Sequence, residues 1–385
     1  MQAPVQPPSL GVYVHFPYCL QKCPYCDFTS VATERAEVPH AAYADRVILE
    51  LEERSDELGA RRLQSVFFGG GTPSLWDAHE LGRVLREIRA RFPSPEAVEI
   101  TVECNPSSLD RERAEALLAA GVNRLSIGVQ SLNAERLQFL GRLHDVEGGL
   151  RAVRDALASG MPRVSADLIF GVHGQSPSDA RREAETVAGL GVTHLSAYAL
   201  TIEPGTQFGA RAKAGRLPLL GDDLIADSFL SVDEGLAKLG FEHYEISNFA
   251  REGHVAEHNL GYWHGDDYLG LGTGAWGTLT TDQGRVRYRN TPSPERYLAG
   301  QNQIETEPID AETALKERIL LGLRLASGVD LEREARALGV AAWSREREIA
   351  AERLVKRGRL ERNGHCLKVP KSAWLFADGT IAELL

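Results

Sequence analysis

The sequence contains no apolar run approaching the roughly eighteen residues that a membrane span requires. Its opening stretch, Met1 to Leu10, lacks both the basic segment and the apolar segment of a secretion signal and reads as a frayed, Pro/Gln-rich tail. Basic charge is not in excess: 43 Lys and Arg stand against 54 Asp and Glu, a formal net charge of −11. That balance argues against a nucleic-acid partner, because phosphate binding requires a basic face. Cysteine is scarce, at five in 385 residues. Three of the five crowd into one loop, which fits a reducing cytosol and a metal site better than a disulfide framework. There is no fixed-period repeat and no low-complexity tract. What is present is an ordinary globular composition, 43% hydrophobic and 25% charged, in a chain long enough for one large domain and one small one.

From Gly11 onward, apolar runs alternate with stretches of helical spacing. The runs are Gly11–Phe16, Leu63–Phe68, Val98–Cys104, Arg124–Val129, Ser165–Phe170 and Thr193–Leu200. Between them, helical patterns occupy His40–Leu58 (with Val47, Leu49, Leu51 and Leu58 as its apolar residues), His79–Arg91, Asp110–Ala120, Glu147–Ala158 and Ser178–Leu190. Continuous apolar runs, rather than apolar/polar alternation, indicate a parallel sheet covered on both faces. The expected class is α/β, with six strand–helix units forming a partial (β/α)6 barrel; a doubly wound open sheet is the competing arrangement. Both gather ligands at the carboxyl ends of the strands. Those ends carry Gly69-Gly70-Gly71-Thr72-Pro73, Glu103-Cys104-Asn105-Pro106, Gln130-Ser131 and Asp167.

After Thr201 the rhythm changes. A helix is expected over Asp222–Leu239 and a strand over Glu242–Ile246, followed by a stretch dense in His, Trp and Tyr and a glycine-rich run from Gly270 to Gly277. A second unit begins around Pro308, with helical patterns at Ala311–Ala326, Asp330–Leu338 and Trp343–Val355. A hairpin turning at Asn363-Gly364 completes a winged-helix-like order. This unit carries 14 Lys and Arg against 12 Asp and Glu, so a packing or lid role is expected rather than DNA reading.

The chemistry concentrates in Cys19-x3-Cys23-x2-Cys26, directly after the first apolar run. Soft thiolates so spaced converge on one metal centre, zinc or an iron–sulfur cluster, and three is one fewer than either takes from protein. His15, Cys104 or Cys366 could complete a zinc site; otherwise one iron stays open for another ligand. Cys104 and Cys366 also read as small buried hydrophobes.

This loop, placed at the end of a first strand and opening a strand–helix array, resembles the radical S-adenosylmethionine superfamily. The resemblance implies a [4Fe–4S] cluster on Cys19, Cys23 and Cys26, with the open iron chelated by S-adenosylmethionine. Tyr13, Gly70, Gly71, Thr72, Glu103, Gln130, Arg142 and Asp167 match the cofactor contacts of the oxygen-independent coproporphyrinogen III oxidase-like family within it, a likeness that covers nearly the whole chain. Glu103 and Asp167 would then accept hydrogen bonds from the cofactor, and Arg142 would pair with its carboxylate; read alone, each carboxylate could instead cap a helix. The oxidase branch has a fourth cysteine where this chain has Phe28, and a longer segment ahead of the loop. The sequence instead resembles the haem chaperone branch, which shares Cys26-Asp27-Phe28 and the motif His258-Asn259-Leu260-Gly261-Tyr262-Trp263.

That resemblance implies a protein that binds haem and delivers it to haem-dependent acceptors such as membrane respiratory enzymes. It also implies a cytoplasmic location, free or peripheral at the membrane, and a cluster serving assembly, dimerisation or redox gating. Oxidase activity, or radical chemistry on haem or another tetrapyrrole, is the alternative. His258 would ligate haem iron while Asn259, Tyr262 and Trp263 complete the site, with His254 and His264 as secondary candidates. The competing reading packs Tyr262 and Trp263 under the barrel and leaves His258 a structural hydrogen bond. The expected division is a tail over 1–10, a core over 11–305 and a C-terminal domain over 306–385.

Overall fold

The computed structural model describes residues 8–55, 58–94 and 97–385. Six parallel strands form its centre: β1 (Ser9–Phe16), β2 (Arg62–Gly70), β3 (Glu99–Cys104), β4 (Arg124–Gln130), β5 (Arg163–Phe170) and β6 (His194–Ala199). They pair in chain order, each with the next. Helices His40–Ser55, Ala78–Arg91, Arg111–Ala119, Val146–Ala158 and Pro177–Ala188 return the chain between them. Their starts are chemically fixed, since Asp77, Asp110, Asp145 and Ser176 each cap a helix by accepting from backbone N–H groups of its first turn. All six strands therefore end at one rim, the α/β partial barrel that the sequence predicts.

Of the expected tail, residues 1–7 lie outside the described residues, while Ser9 and Leu10 already belong to β1. In the first helix Leu49 is exposed, because the buried face is Tyr43, Ala44, Val47, Glu50 and Leu51. Leu49 sits two residues from Val47, about 200° around the helix axis.

The sheet does not stop at six strands. Beyond β6 come β8 (Asn248–Ala250) and β7 (Glu242–Glu245), both antiparallel. On the other edge β9 (Tyr268–Leu271) runs parallel to β1 and is followed by antiparallel β10 (Trp276–Thr281), β11 (Gly284–Arg289) and β12 (Glu305–Ile309). The result is one twelve-stranded sheet. The glycine-rich run makes the β9 edge possible: a Cβ on Gly270 would stand 1.9 Å from the Trp276 carbonyl oxygen, and one on Gly272 2.4 Å from that of His15. Glu50 locks this edge to the first helix, accepting from Gly272 N (2.9 Å), Asn290 Nδ2 (2.8 Å) and the Tyr297 hydroxyl (2.7 Å).

The expected boundary at 306 falls inside β12. The C-terminal unit starts instead at Asp310, which caps helix Ala311–Gly322. Helices Leu331–Leu338 and Arg345–Lys356 follow, with a three-stranded sheet of β13 (Val329–Asp330), β14 (Glu361–Asn363) and β15 (Cys366–Lys368). The winged arrangement is as expected, but the hairpin turns at Gly364-His365, one residue later, because Asn363 pairs with Cys366. This unit has its own apolar core around Leu315, Ile319, Leu354 and Leu367.

Candidate cluster and cofactor site

The cysteine loop leaves β1 at Pro17 and is pinned at both ends. Tyr18–Cys19 pairs with Val31–Ala32, and Thr33 N donates to Cys19 O (2.8 Å). Within it, Cys26 N donates to Cys23 O (3.2 Å). Burial raises the thiol pKa of Cys19 and Cys26. Among the described residues, the only trio of His, Cys, Asp or Glu ligand atoms within 4.8 Å of one another is Asp77, His79 and Glu80. Cys104 is buried beside Val102 O and lines the same cavity as the loop, whereas Cys366 lies half-buried in the C-terminal unit.

The loop faces a cavity of about 500 Å³ lined by all three cysteines and by Gly70, Gly71, Thr72, Glu103, Gln130, Arg142 and Asp167. Seven of the eight residues expected to hold the cofactor therefore meet here. Gly70 has φ +107, and a Cβ there would strike the His15 ring at 2.4 Å; at Gly71 it would strike Pro17 at 2.7 Å. Only glycine fits so close to the cysteine loop. Gly71 N and Thr72 N donate to Phe16 O (2.7 Å) and Tyr18 O (2.9 Å), fastening the second strand end to the loop.

Arg142 donates through Nη1 to Cys23 Sγ (3.5 Å) and through Nη2 to Gly128 O (3.1 Å). Burial opposes its charge, but Tyr25 and Cys23 beside it more than offset this and raise its pKa. A register shift between Ile127 and Gln130 re-aims the end of β4, and Gln130 takes φ 68, a strained setting that costs about 1–3 kcal/mol for a residue with a Cβ. Gln130 Oε1 and Arg142 Nε are buried and have no protein hydrogen-bond partner. Glu103 accepts from Gly70 N (3.0 Å), and burial, reinforced by the charge of Asp167, pushes its pKa up to about 7. Asp167, also raised by burial, accepts from Ser126 Oγ at 3.0 Å on each oxygen.

Tyr13 is the exception. It does not line the cavity; its hydroxyl is bonded to His15 Nδ1 (2.9 Å) and its ring stacks on Phe67 and His258. The cause is its position three residues before the end of β1. Tyr198, at the end of the sixth apolar run, also lines the cavity, and sequence reasoning missed Tyr25 and Ser126, which do so too. Period-two counting back from Gln130 through Gly128 would have found Ser126.

The His-Asn-x-x-Tyr-Trp segment forms helix Glu257–Trp263, which does not present one binding face. His258 is 3% exposed, with Nδ1 bonded to Ser65 Oγ (2.8 Å) and Nε2 to the Tyr262 hydroxyl (2.9 Å). Burial lowers its pKa to about 4. Both ring nitrogens thus have protein partners, a serine and a tyrosine, in an enclosed setting. Tyr262 follows His258 inward and packs on Tyr268. Trp263 points elsewhere, lining a cleft against the C-terminal unit. Asn259 is half-buried on the same helix.

The sequence pattern of the Radical SAM superfamily matches residues 13–187, and that of the HemN C-terminal domain residues 309–376. The chain is 39% identical to a protein named heme chaperone HemW from Escherichia coli over 307 residues, 78% of this chain and 80% of that one. It is 37% identical to the protein of that name from Haemophilus influenzae, covering 78% and 79% of the two chains. With its Mycobacterium tuberculosis namesake it shares 36% over 398 residues, covering 100% of this chain and 99% of the other. Among solved structures, coproporphyrinogen III oxidase (HemN) from Escherichia coli superimposes with a TM-score of 0.81 over 98% of this chain and 90% of its own, at 21% identity. At that identity the likeness concerns the fold.

Proposed function

We propose that this chain, which belongs to the HemW family of the radical SAM superfamily, binds haem and passes it to haem-dependent acceptor proteins, membrane respiratory enzymes among them. The observation that carries the reading is identity of 36–39% to proteins named heme chaperone HemW. Phe28 agrees with it: the position where the oxidase branch has a fourth cysteine is here an aromatic ring 56% exposed at the cavity mouth.

Cys19, Cys23 and Cys26 would hold a [4Fe–4S] cluster, and Gly70, Gly71, Thr72, Glu103, Gln130, Arg142 and Asp167 would hold S-adenosylmethionine. The donor set fits both groups. Three soft thiols line the cavity, the glycines leave space beside the loop, and Gln130 Oε1 and Arg142 Nε are polar atoms in need of partners. Once bound, the cluster supplies an electron that can cleave a carbon–sulfur bond of the sulfonium. The guanidinium of Arg142, already against Cys23, is placed to pair with a carboxylate next to the cluster. Glu103 and Asp167 present acceptors to hydroxyl and amino groups. Tyr13 supports this wall through His15 rather than by touching the cofactor. The chain would work in the cytoplasm, free or at the membrane surface, with the cluster serving assembly, dimerisation or redox gating.

Two assays on anaerobically reconstituted protein test this. Haem titration should show saturable binding, and a Cys19→Ser/Cys23→Ser/Cys26→Ser variant should lose cluster iron and its visible absorption. Incubation with coproporphyrinogen III, S-adenosylmethionine and a reductant should give no protoporphyrinogen IX; its appearance would assign the chain to the oxidase instead.

A further inference from the structure

Arg124 opens β4 with its side chain enclosed, 2% exposed. Among the described residues it forms no ion pair. Its one hydrogen bond is long, from Nη1 to Thr101 Oγ1 at 3.4 Å, and its Nε has no acceptor. A guanidinium so deeply buried needs an opposite charge within reach.

Strand register shows where that charge lies. Side chains two apart on a strand share a face, so Arg124 looks inward with Ser126, as Glu99 and Thr101 do with Glu103 on β3. Thr101 stands level with Arg124 and Glu103 with Ser126, which donates to Asp167 on β5. The guanidinium therefore sits between Glu99 on one side and, about 7 Å further along the strands, the pair Glu103 and Asp167. Glu99 is already committed: it meets Arg163 Nη1 at 2.8 Å and accepts from the Glu257 and His258 N–H groups at 3.1 Å. Glu103 and Asp167 accept from Gly70 N and Ser126 Oγ but have no cation of their own. The other groups facing them do not supply one. Burial keeps the imidazoles of His15 and His194 and the hydroxyls of Tyr13, Tyr198 and Tyr262 neutral. Glu245 on β7 brings only another carboxyl, and Arg142 is engaged by Cys23 and Gly128. Burial raises the pKa of both Glu103 and Asp167, and the charge of Arg124 opposes that rise in each.

We propose that Arg124 is a positioning residue of the cofactor site, the buried counter-charge that holds Glu103 and Asp167 together as ionised acceptors for the amino and hydroxyl groups of S-adenosylmethionine. This rests on the cofactor reading above and deepens it. Two carboxylates on one rim repel each other. A cation beneath them, rather than beside them, offsets that repulsion and leaves their cavity-facing oxygens free for a ligand.

The test measures binding of labelled S-adenosylmethionine to the full-length, cluster-reconstituted protein by equilibrium dialysis across a pH series. The parent is compared with Arg124→Gln, Arg124→Met and Arg124→Lys. Arg124→Met fills the space without a polar head and serves where Arg124→Gln does not fold. Without the guanidinium the carboxyl pair ionises at higher pH, so its acceptors are lost sooner as the pH falls. Both neutral variants should bind at least about tenfold more weakly than the parent at about pH 6.5, the effect of one unit in the midpoint, and should converge on it by about pH 9. Comparison at each pH removes the cofactor's own titration. Arg124→Lys, which keeps a cation, should recover most of the loss. In a Glu103→Gln/Asp167→Asn background, Arg124→Gln should add no pH-dependent effect. Neutral variants that lose the same factor at every pH, as a merely structural arginine would, or that match the parent throughout, overturn the proposal and leave the cofactor reading intact. A parent that binds no S-adenosylmethionine overturns both.

Discussion

Glu50 and Glu245 are both enclosed carboxylates, 1% and 0% exposed, with very different surroundings. Glu50 is met by an amide N–H, an asparagine, a tyrosine and Arg54. Neither oxygen of Glu245 has a partner at full hydrogen-bond geometry, the Ser247 N–H and the Asn248 side chain being its nearest polar neighbours, and Asn248 Oδ1 across the pair is also unmatched. Burial pushes the Glu245 pKa up from 4.5 to about 7. A carboxyl group whose folded pKa is raised favours folding while protonated, so its contribution is complete below about pH 4.5 and is lost as the pH rises through about 7. Glu245→Gln removes the titration. The variant should match the parent near pH 4.5 and exceed it at pH 8 by on the order of 3 kcal/mol. Denaturant midpoints at the two pH values check this, and parallel behaviour of the two proteins would rule it out. Gly70 tests the site in a different way. Gly70→Ala meets both a left-handed backbone and the His15 ring at 2.4 Å, costing about 2–5 kcal/mol from strain and overpacking together. Iron per chain after reconstitution should fall with it, because the next two amides fasten the cysteine loop. Gly160→Ala is the control: φ is also left-handed there, but nothing lies within 4 Å, so iron content should be unchanged.

At the scale of elements, the helix Glu257–Trp263 separates what sequence conveys from what it does not. Six parallel strands and their helices are legible because continuous apolar runs and capped helices are local signals. The cysteine loop and the strand-end polar residues are legible because topology brings every strand end to one rim. A helix carrying His, Asn, Tyr and Trp in seven residues announces itself too, but its orientation does not. His258 turns inward because Ser65 on β2 offers a hydroxyl and Glu99 accepts the His258 and Glu257 backbone N–H groups at 3.1 Å, contacts 158 or more positions away along the chain in the case of Glu99. Strands β9 to β12 escaped notice for a related reason: their pairing depends on glycines whose value is what they leave out. His258→Ala should therefore act as a core substitution. Loss of the imidazole strands the hydroxyls of Ser65 and Tyr262 and opens a cavity, costing about 2–4 kcal/mol. Calorimetric melting of the variant beside a Ser65→Ala variant checks this, since both break the same buried chain and should lower the transition together.

For the whole molecule, the C-terminal unit is attached by backbone pairing as well as by side chains. Ile246 N donates to Arg324 O (3.1 Å) and Ala326 N to Tyr244 O (2.9 Å), so the segment after helix Ala311–Gly322 extends the edge of the large sheet at β7. Trp374 closes the junction, its ring edge-on to His243 at 4.4 Å and its Nε1 donating to Val369 O (3.0 Å), while Lys371 reaches Asp233 at 2.8 Å. These contacts fix the cleft between Trp263 and Cys366, since its two walls belong to different units. Trp374→Ala removes a 4%-exposed ring and should cost about 3–5 kcal/mol, concentrated at the junction because the barrel core does not include it. Hydrogen exchange should quicken at Ile246 and Ala326 while amides of β1 to β5 stay protected. Uniform loss of protection across both units would mean instead that the chain unfolds as one body and that the junction has no separate stability.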